Sequence, residues 1–350
     1  MMLNICGQHE LNHIALRTHY KHHAELGGYD LLANYTTPKA VIGINEQRPP
    51  AMILQKYKWL YELLIKLKYK PDLLHIYYAE EYLRFSPFLF PKIPVVATFH
   101  QPPENLEREV IYGDYSGRVG KFTHALTKNR FSKLAAAIIL EENQRAILEQ
   151  VMPTEKIHLI PHGVHPDLFR EIAFEERQHI LTVGNWQRDW KVYEEILKIF
   201  FEINPELTFV LVNRSLPSEI LARLTKYQNF KYTREISDSE LEYFYRSAYC
   251  LFLPLLSATA NNSLIESLVY GCPVVTSDVF SIYYPFKGNY ISFEHSTEAY
   301  INSIKHFVLL SEKKRKDVAL KAQEEVAVIK WPRVAEKVLQ LYSELIRSSS

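Results

Sequence analysis

Cysteine, net charge and long apolar runs are all scarce in this chain of 350 residues. Its three cysteines (Cys6, Cys250, Cys272) show no C-x-x-C spacing, which argues against a zinc ribbon or disulfide scaffold and for a reducing compartment. With 41 basic and 40 acidic residues the formal charge is +1, so no global basic field marks a nucleic-acid protein. No uninterrupted apolar run approaches the ~18 residues that a bilayer span needs. No basic segment leads into an apolar one at the first residues, so a cytoplasmic protein is expected. The 11 glycines and 18 prolines exclude a collagen-like chain, and 47% hydrophobic content excludes a disordered one.

What is abundant is aromatic: 23 Tyr, 18 Phe and 4 Trp make 13% of the chain, ample material for cores. At ~150 residues per domain the length suggests two domains. Short β-branched runs alternate with helical patterns, the mark of a parallel α/β sheet. In the first half Leu3–Cys6 reads as a strand and Glu10–Leu26 as a helix that Gly27–Gly28 stops, followed by Asp30–Tyr35. Lys56–Lys68 carries Leu60, Leu63, Leu64 and Leu67 at helical spacing, and Leu73–Tyr77, Val95–Phe99, Ala135–Leu140 and His158–Pro161 read as strands. After the polar stretch Arg170–Gln178 a second series begins: Ile180–Val183, Phe209–Val212, Cys250–Leu253 and Pro273–Thr276. Two such series predict two doubly wound, Rossmann-like domains facing across a cleft, with ligands outside the carboxyl ends of the strands.

His9–His13 spells H-E-L-N-H, the H-E-x-x-H spacing of zinc hydrolases, and His19 falls where a third ligand would stand. On a helix His9 and His13 share a face, with Glu10 as general base. Leu16, however, occupies the place of the turn glycine, and 14 histidines make a chance match easy. A histidine-rich helix beginning just after the first strand is the plainer reading.

The informative region is Ala248–Asp278. It reads as a buried strand, a loop of small polar residues, and a helix whose first turn falls near Asn262–Leu264; Gly271 then stops the helix before another strand. Open N–H groups at such a helix start suit a phosphate. Glu266, one turn on, suits ribose hydroxyls. The alternative is that Asn261, Asn262 and Ser263 simply cap the helix.

The stretch N-S-L-I-E-S-L-V-Y-G-C-P-V-V-T-S resembles the nucleotide-sugar signature of glycosyltransferase family 4, retaining enzymes of the GT-B fold. Further resemblances follow in family order. They are K-P-D-L-L-H-I (Lys70–Ile76), V-V-A-T-F-H (Val95–His100), K-I-H-L-I-P-H-G-V-H-P-D-L-F (Lys156–Phe169), I-L-T-V-G-N-W-Q-R-D-W-K (Ile180–Lys191), Ser237–Tyr245 and K-W-P-R-V-A-E-K-V-L-Q-L-Y (Lys330–Tyr342). The resemblance implies an acceptor-side domain over 1–168, a nucleotide-sugar-binding domain over 169–330, and a C-terminal helix over 331–350 that crosses back to the first domain.

It also implies roles. Glu266 would bind the donor ribose. Asn262, Ser263 and Leu264 would meet the diphosphate at the helix start, with Ser263 and Leu264 offering backbone N–H groups. Lys191 would neutralise the leaving diphosphate, and Gly184 would let the backbone approach it. His100 would line the reaction centre. For each a plainer role exists: a solvated lysine, a turn glycine, a hydrogen-bonded structural histidine. The implied activity is a metal-independent, hexosyltransferase-type transfer with retention, from a nucleotide-diphospho-sugar to a glycan or lipid-linked glycan acceptor in surface polysaccharide assembly. No metal or other cofactor is expected, in keeping with the lack of a D-x-D sequence, and no nucleic acid is expected as partner.

The chain departs from the family pattern in places. The first glutamate of E-x7-E falls on Ala258, and the arginine after the turn glycine falls on Asn185, leaving Arg188 as the nearest replacement for its charge. His162 and His165 stand where Asn and Asp are usual. These departures keep a second reading open, a catalytically silent homologue that binds a partner or a nucleotide. Two basic, aromatic stretches, Lys56–Lys70 and Arg118–Lys133, fall in the acceptor-side domain. They read either as solvated faces of core helices or as a peripheral contact with the inner face of an anionic membrane.

Overall fold

The computed structural model describes residues 11–20, 26–46, 58–112, 125, 128–172, 176–279, 288 and 290–349. They form two compact units, one containing Gly28–Gly163 and Trp331–Ser350 together with the strand before them, the other Val164–Lys330.

The first unit is a six-stranded parallel sheet. Its strands are β1 (His13–His19), β2 (Ala40–Asn45), β3 (Leu73–Ile76), β4 (Val95–Phe99), β5 (Ala136–Ile139) and β6 (Ile157–Leu159), in the order β2-β1-β3-β4-β5-β6. β3, β4 and β5 are buried along their whole length, as in a sheet covered on both faces. Around it lie the helices α1 (Leu32–Thr36), α2 (Trp59–Lys68), α3 (Ala79–Tyr82), α4 (Ser86–Leu89), α5 (Pro103–Glu107) and α6 (Arg145–Leu148).

β1 overturns the expectation of a helix over Glu10–Leu26. Ile14, Ala15 and Leu16 are fully buried between β2 and β3, and such a continuous apolar run has no period to separate strand from helix. The zinc reading loses its geometry with the helix. In a strand His13 and His19 lie about 20 Å apart, and they have separate surroundings: the His13 ring packs 5.0 Å from the Tyr342 ring, while His19 Nδ1 lies 2.8 Å from Asp30. His9, Glu10 and the expected strand Leu3–Cys6 lie outside the described residues. No group of three potential ligands is placed to hold a metal ion among the described residues.

The second unit is also a six-stranded parallel sheet: β7 (His179–Val183), β8 (Thr208–Val212), β9 (Phe230–Thr233), β10 (Ala248–Leu253), β11 (Val274–Ser277) and β12 (Ile291–Glu294), in the order β12-β11-β10-β7-β8-β9. Its helices are α7 (Trp190–Ile203), α8 (Ser218–Leu224), α9 (Asp238–Ser247), α10 (Asn262–Val269), α11 (Thr297–Val308) and α12 (Glu312–Val326). Ile180, Tyr193, Leu197, Phe200, Phe209 and Phe252 meet in one core under α7.

The closing helix α13 (Trp331–Ser349) belongs to the first unit. It packs on α1, and its Tyr342 hydroxyl lies 2.5 Å from His75 Nδ1. Trp331 at its start explains the glycine of I-P-H-G-V: a Cβ on Gly163 would fall 2.2 Å from the indole ring. Strand order reverses between β1 and β3 in one sheet and between β7 and β10 in the other, so each unit opens a crevice at those strands' carboxyl ends.

Candidate active site

In the second unit the crevice is built by the β7–α7 and β10–α10 loops. They are tied together by Leu256 N–H donating to Gln187 O at 3.0 Å and Asp189 N–H to Pro254 O at 2.8 Å. Gly184 follows β7 at φ +87°, a conformation that costs other residues energy. A Cβ there would stand 2.9 Å from Arg188 Nη2 and 3.7 Å from Ser263 Oγ, so the turn, the guanidinium and the α10 N-terminus converge on one spot.

Arg188 is 7% exposed and donates through Nη1 to Trp186 O at 3.0 Å and through Nη2 to Val183 O at 2.5 Å. Burial lowers its pKa to about 10, which leaves it cationic at neutral pH. Asp189 caps α7 by accepting from the N–H groups of Lys191 and Val192 at 3.1 and 3.0 Å. Lys191 stands exposed in that first turn. It borders a groove of about 540 Å³ on the outer side of α7, where Glu194 pairs with Arg223 and Lys198. There Glu194 is already paired with both cations, whereas Gly184, Arg188 and Ser263 converge at the loops.

On α10, Asn261 is the cap: its side chain accepts from Leu264 N–H at 3.1 Å. The Leu264 N–H is therefore taken by the cap, and the N–H groups of Asn262 and Ser263 are those that the helix start leaves without an intrahelical partner. Glu266 is half-buried and accepts from the Tyr245 hydroxyl at 3.2 Å. Burial raises its pKa to about 7, with the Tyr245 hydrogen bond working against the rise. Ser263 also hydrogen-bonds Tyr245, so one phenol on α9 braces both α10 residues. Tyr245 is the residue that the sequence hid: it ends an expected helix, one tyrosine among 23. Ala258 is buried beside these groups in the chain and brings no carboxylate, and Asn185 donates to Ser215 Oγ at 2.9 Å.

In the first unit His100 directly follows β4. Its ring stacks on Tyr78, with centroids 4.6 Å apart at 28°, and meets Tyr29 edge-on at 4.8 Å. The Glu80 carboxyl accepts the His100 backbone N–H and lies 3.8 Å from Nδ1; burial pushes its pKa up to about 8. Next to it Glu81 accepts from the Thr18 and Tyr20 hydroxyls. The crevice of this unit is thus lined by carboxyl groups and tyrosines, hydrogen-bonding partners for hydroxyl-rich molecules. Glu80 and Glu81, adjacent on α3, were missed in the sequence, where the pair following β3 by four residues is the signal that could have found them.

The family model of Glycosyltransferase Family 4 matches residues 11–168, and that of Glycosyl transferases group 1 matches residues 177–308. No curated protein matches the chain. Among solved structures, sucrose-phosphate synthase from Thermosynechococcus elongatus is 14% identical with a TM-score of 0.71, covering 97% of this chain and 100% of that one. The N-terminal domain of Candida albicans trehalose-6-phosphate phosphatase is 12% identical with a TM-score of 0.74, covering 96% and 98%. Anabaena HepE, solved in complex with UDP and glucose, is 12% identical with a TM-score of 0.68, covering 96% and 100%. With tandem family models along both units and this shared architecture, the chain belongs to the family 4-like glycosyltransferases of the GT-B fold.

Proposed function

We propose that the protein moves a hexosyl group from a nucleotide-diphospho-sugar to a hydroxyl of a glycan or lipid-linked glycan, with retention of anomeric configuration. The observation that carries this reading is the convergence of Gly184, Arg188 and Ser263, with Glu266 one turn further along α10. The diphosphate would lie over Gly184 against the N–H groups of Asn262 and Ser263, and the ribose would give its hydroxyls to Glu266. UDP is the nucleotide to test first, since HepE was solved with it.

In the transfer the bond from the anomeric carbon to the phosphate oxygen breaks, and a bond from that carbon to the acceptor oxygen forms on the same face. The acceptor's proton passes to the departing phosphate. Negative charge grows on the diphosphate as positive charge grows on the sugar ring, and the α10 N-terminus, Arg188 and Lys191 would supply positive potential to the former without a metal. His100, held by Glu80 and Tyr78, is the first unit's candidate for the reaction centre. Surface polysaccharide or glycolipid assembly is the setting that such an acceptor implies.

The test is a thermal-shift screen of EDTA-treated protein against UDP, GDP, ADP and their sugar conjugates. A ligand at about 100 times its Kd adds about 2.7 kcal/mol of stability. The expected result is a shift from one nucleotide family that disappears in Glu266→Ala. Silence from every nucleotide would overturn the reading. Ala258 and Asn185 favour a second reading, nucleotide binding without turnover, which a donor-hydrolysis assay on the same samples separates from the first.

A further inference from the structure

Helix α2 reads W-L-Y-E-L-L-I-K-L-K, and at 3.6 residues per turn Leu60, Leu63, Leu64 and Leu67 share one arc. That stripe is the face a core helix buries. Here that stripe is only partly covered: Leu60 and Leu63 are half-buried and its outer edge stays open. Glu62 and Ile65, on the opposite arc, are 0% exposed, whereas Leu64 is 50% and Leu67 76% exposed.

Glu62 is the cause. Its carboxyl accepts from the backbone N–H groups of Arg84, Phe85 and Ser86 at 3.1, 2.9 and 2.8 Å and from the Ser86 hydroxyl at 2.6 Å. Rotating α2 to bury its leucines would strip all four donors at the start of α4. The outward arc is flanked by the exposed Lys66 and Lys68, and Glu62, the sole acidic residue of α2, points inward.

α4 continues the patch. Phe85 and Phe88 are 49% and 38% exposed, and Trp59 meets Phe85 with ring centroids 6.2 Å apart. Lys133 Nζ stands 5.8 Å over the Phe88 ring. The result is an apolar surface rimmed by lysines. Two copies of it meeting about a dyad would set lysine against lysine, so its charge does not suit self-association.

We propose that this face of the first unit, α2 with α4, docks the protein on an anionic lipid bilayer. The leucines and aromatic rings enter the headgroup–acyl boundary and the lysines meet lipid phosphates. This inference goes beyond the transferase reading and does not rest on it, because binding to lipid is read without donor or acceptor.

The test is co-sedimentation of the full chain with vesicles of phosphatidylcholine alone and of phosphatidylcholine with phosphatidylglycerol. The expected result is binding to the anionic vesicles that weakens with added salt. Replacing Lys66 and Lys68 by Gln should weaken it about fivefold for each charge removed. Leu64→Ser with Leu67→Ser should weaken it roughly tenfold or more. Because all four side chains are exposed, unchanged thermal unfolding of the variants shows that loss of binding is not loss of fold. Failure to bind anionic vesicles overturns the proposal, as does binding that both variants leave intact. A dimer in sedimentation that the leucine variant dissociates, without vesicle binding, gives the face to a second copy and also overturns it.

Discussion

Tyr245 donates its hydroxyl to Glu266, yet burial still lifts that carboxyl to about 7. Ribose hydroxyls donate, so the donor needs the carboxylate form. Affinity for UDP-glucose, whose esterified diphosphate holds no proton near neutrality, should therefore strengthen as pH rises through about 7 and level off above. Tyr245→Phe removes a hydrogen bond that favours the carboxylate, so the midpoint should move up by about one pH unit. Glu266→Gln should flatten the profile and cost about tenfold or more in affinity. Calorimetric titration across this range checks all three, and a flat wild-type profile would remove Glu266 from the ribose. Gly184→Ala strains both the backbone at φ +87° and the Arg188 guanidinium 2.9 Å away. Denaturant melts should show a loss of about 1–2 kcal/mol, with weaker nucleotide binding. The places of Gly184 and Glu266 in the fold were legible because a glycine after a strand and small polar residues at a helix start mark those boundaries. Tyr245 was not, because a tyrosine's meaning depends on what its hydroxyl reaches.

Elements were legible where burial was two-sided and proline or glycine marked their ends, as at Leu73–Tyr77 and Val95–Phe99. The failures have local causes. β9 and β12 carry half-exposed residues between polar flanks, and β1 hides its strand character in an unbroken apolar run beside a spacing that imitates a zinc helix. α2 was read correctly as a helix, but its leucine stripe does not decide which side is buried; a carboxyl capping α4 does. β1 also carries a liability of its own. His13 is 1% exposed against Tyr342, and burial holds its pKa near 4. The unfolded chain takes up that proton first, near pH 6.5, so the folded state loses stability as pH falls from about 6.5 to 4 and no further below. His13→Phe keeps a ring against Tyr342 and removes the proton. Between pH 7 and 5 the wild type should lose about 2 kcal/mol more than the variant in urea melts. Parallel curves would place the acid sensitivity elsewhere, with His75 or His179 the next to test.

For the whole molecule, the order of weak segments carried the family, because no single one of them was specific while their sequence along the chain was. What order cannot report is whether a chain that puts Ala258 and Asn185 at two family positions still turns over. The division of labour between the units makes that measurable without knowing the acceptor. The groups proposed to bind the nucleotide belong to the second unit, whereas His100 and its braces belong to the first. If the protein is a transferase, water should serve as a poor acceptor, and donor hydrolysis should be slow but present. His100→Ala should leave UDP affinity within about twofold while cutting kcat for hydrolysis about a hundredfold, and Glu266→Gln should raise KM. Glu80→Gln can still accept the His100 backbone N–H, so it should lose little of kcat where Glu80→Ala loses much. That contrast would mark Glu80 as positioning His100 through its carbonyl oxygen, since a purely charge-based role would fail in both variants. A wild type that binds UDP through Glu266 but hydrolyses no sugar donor would be the silent homologue, with His100 a structural residue directly after β4.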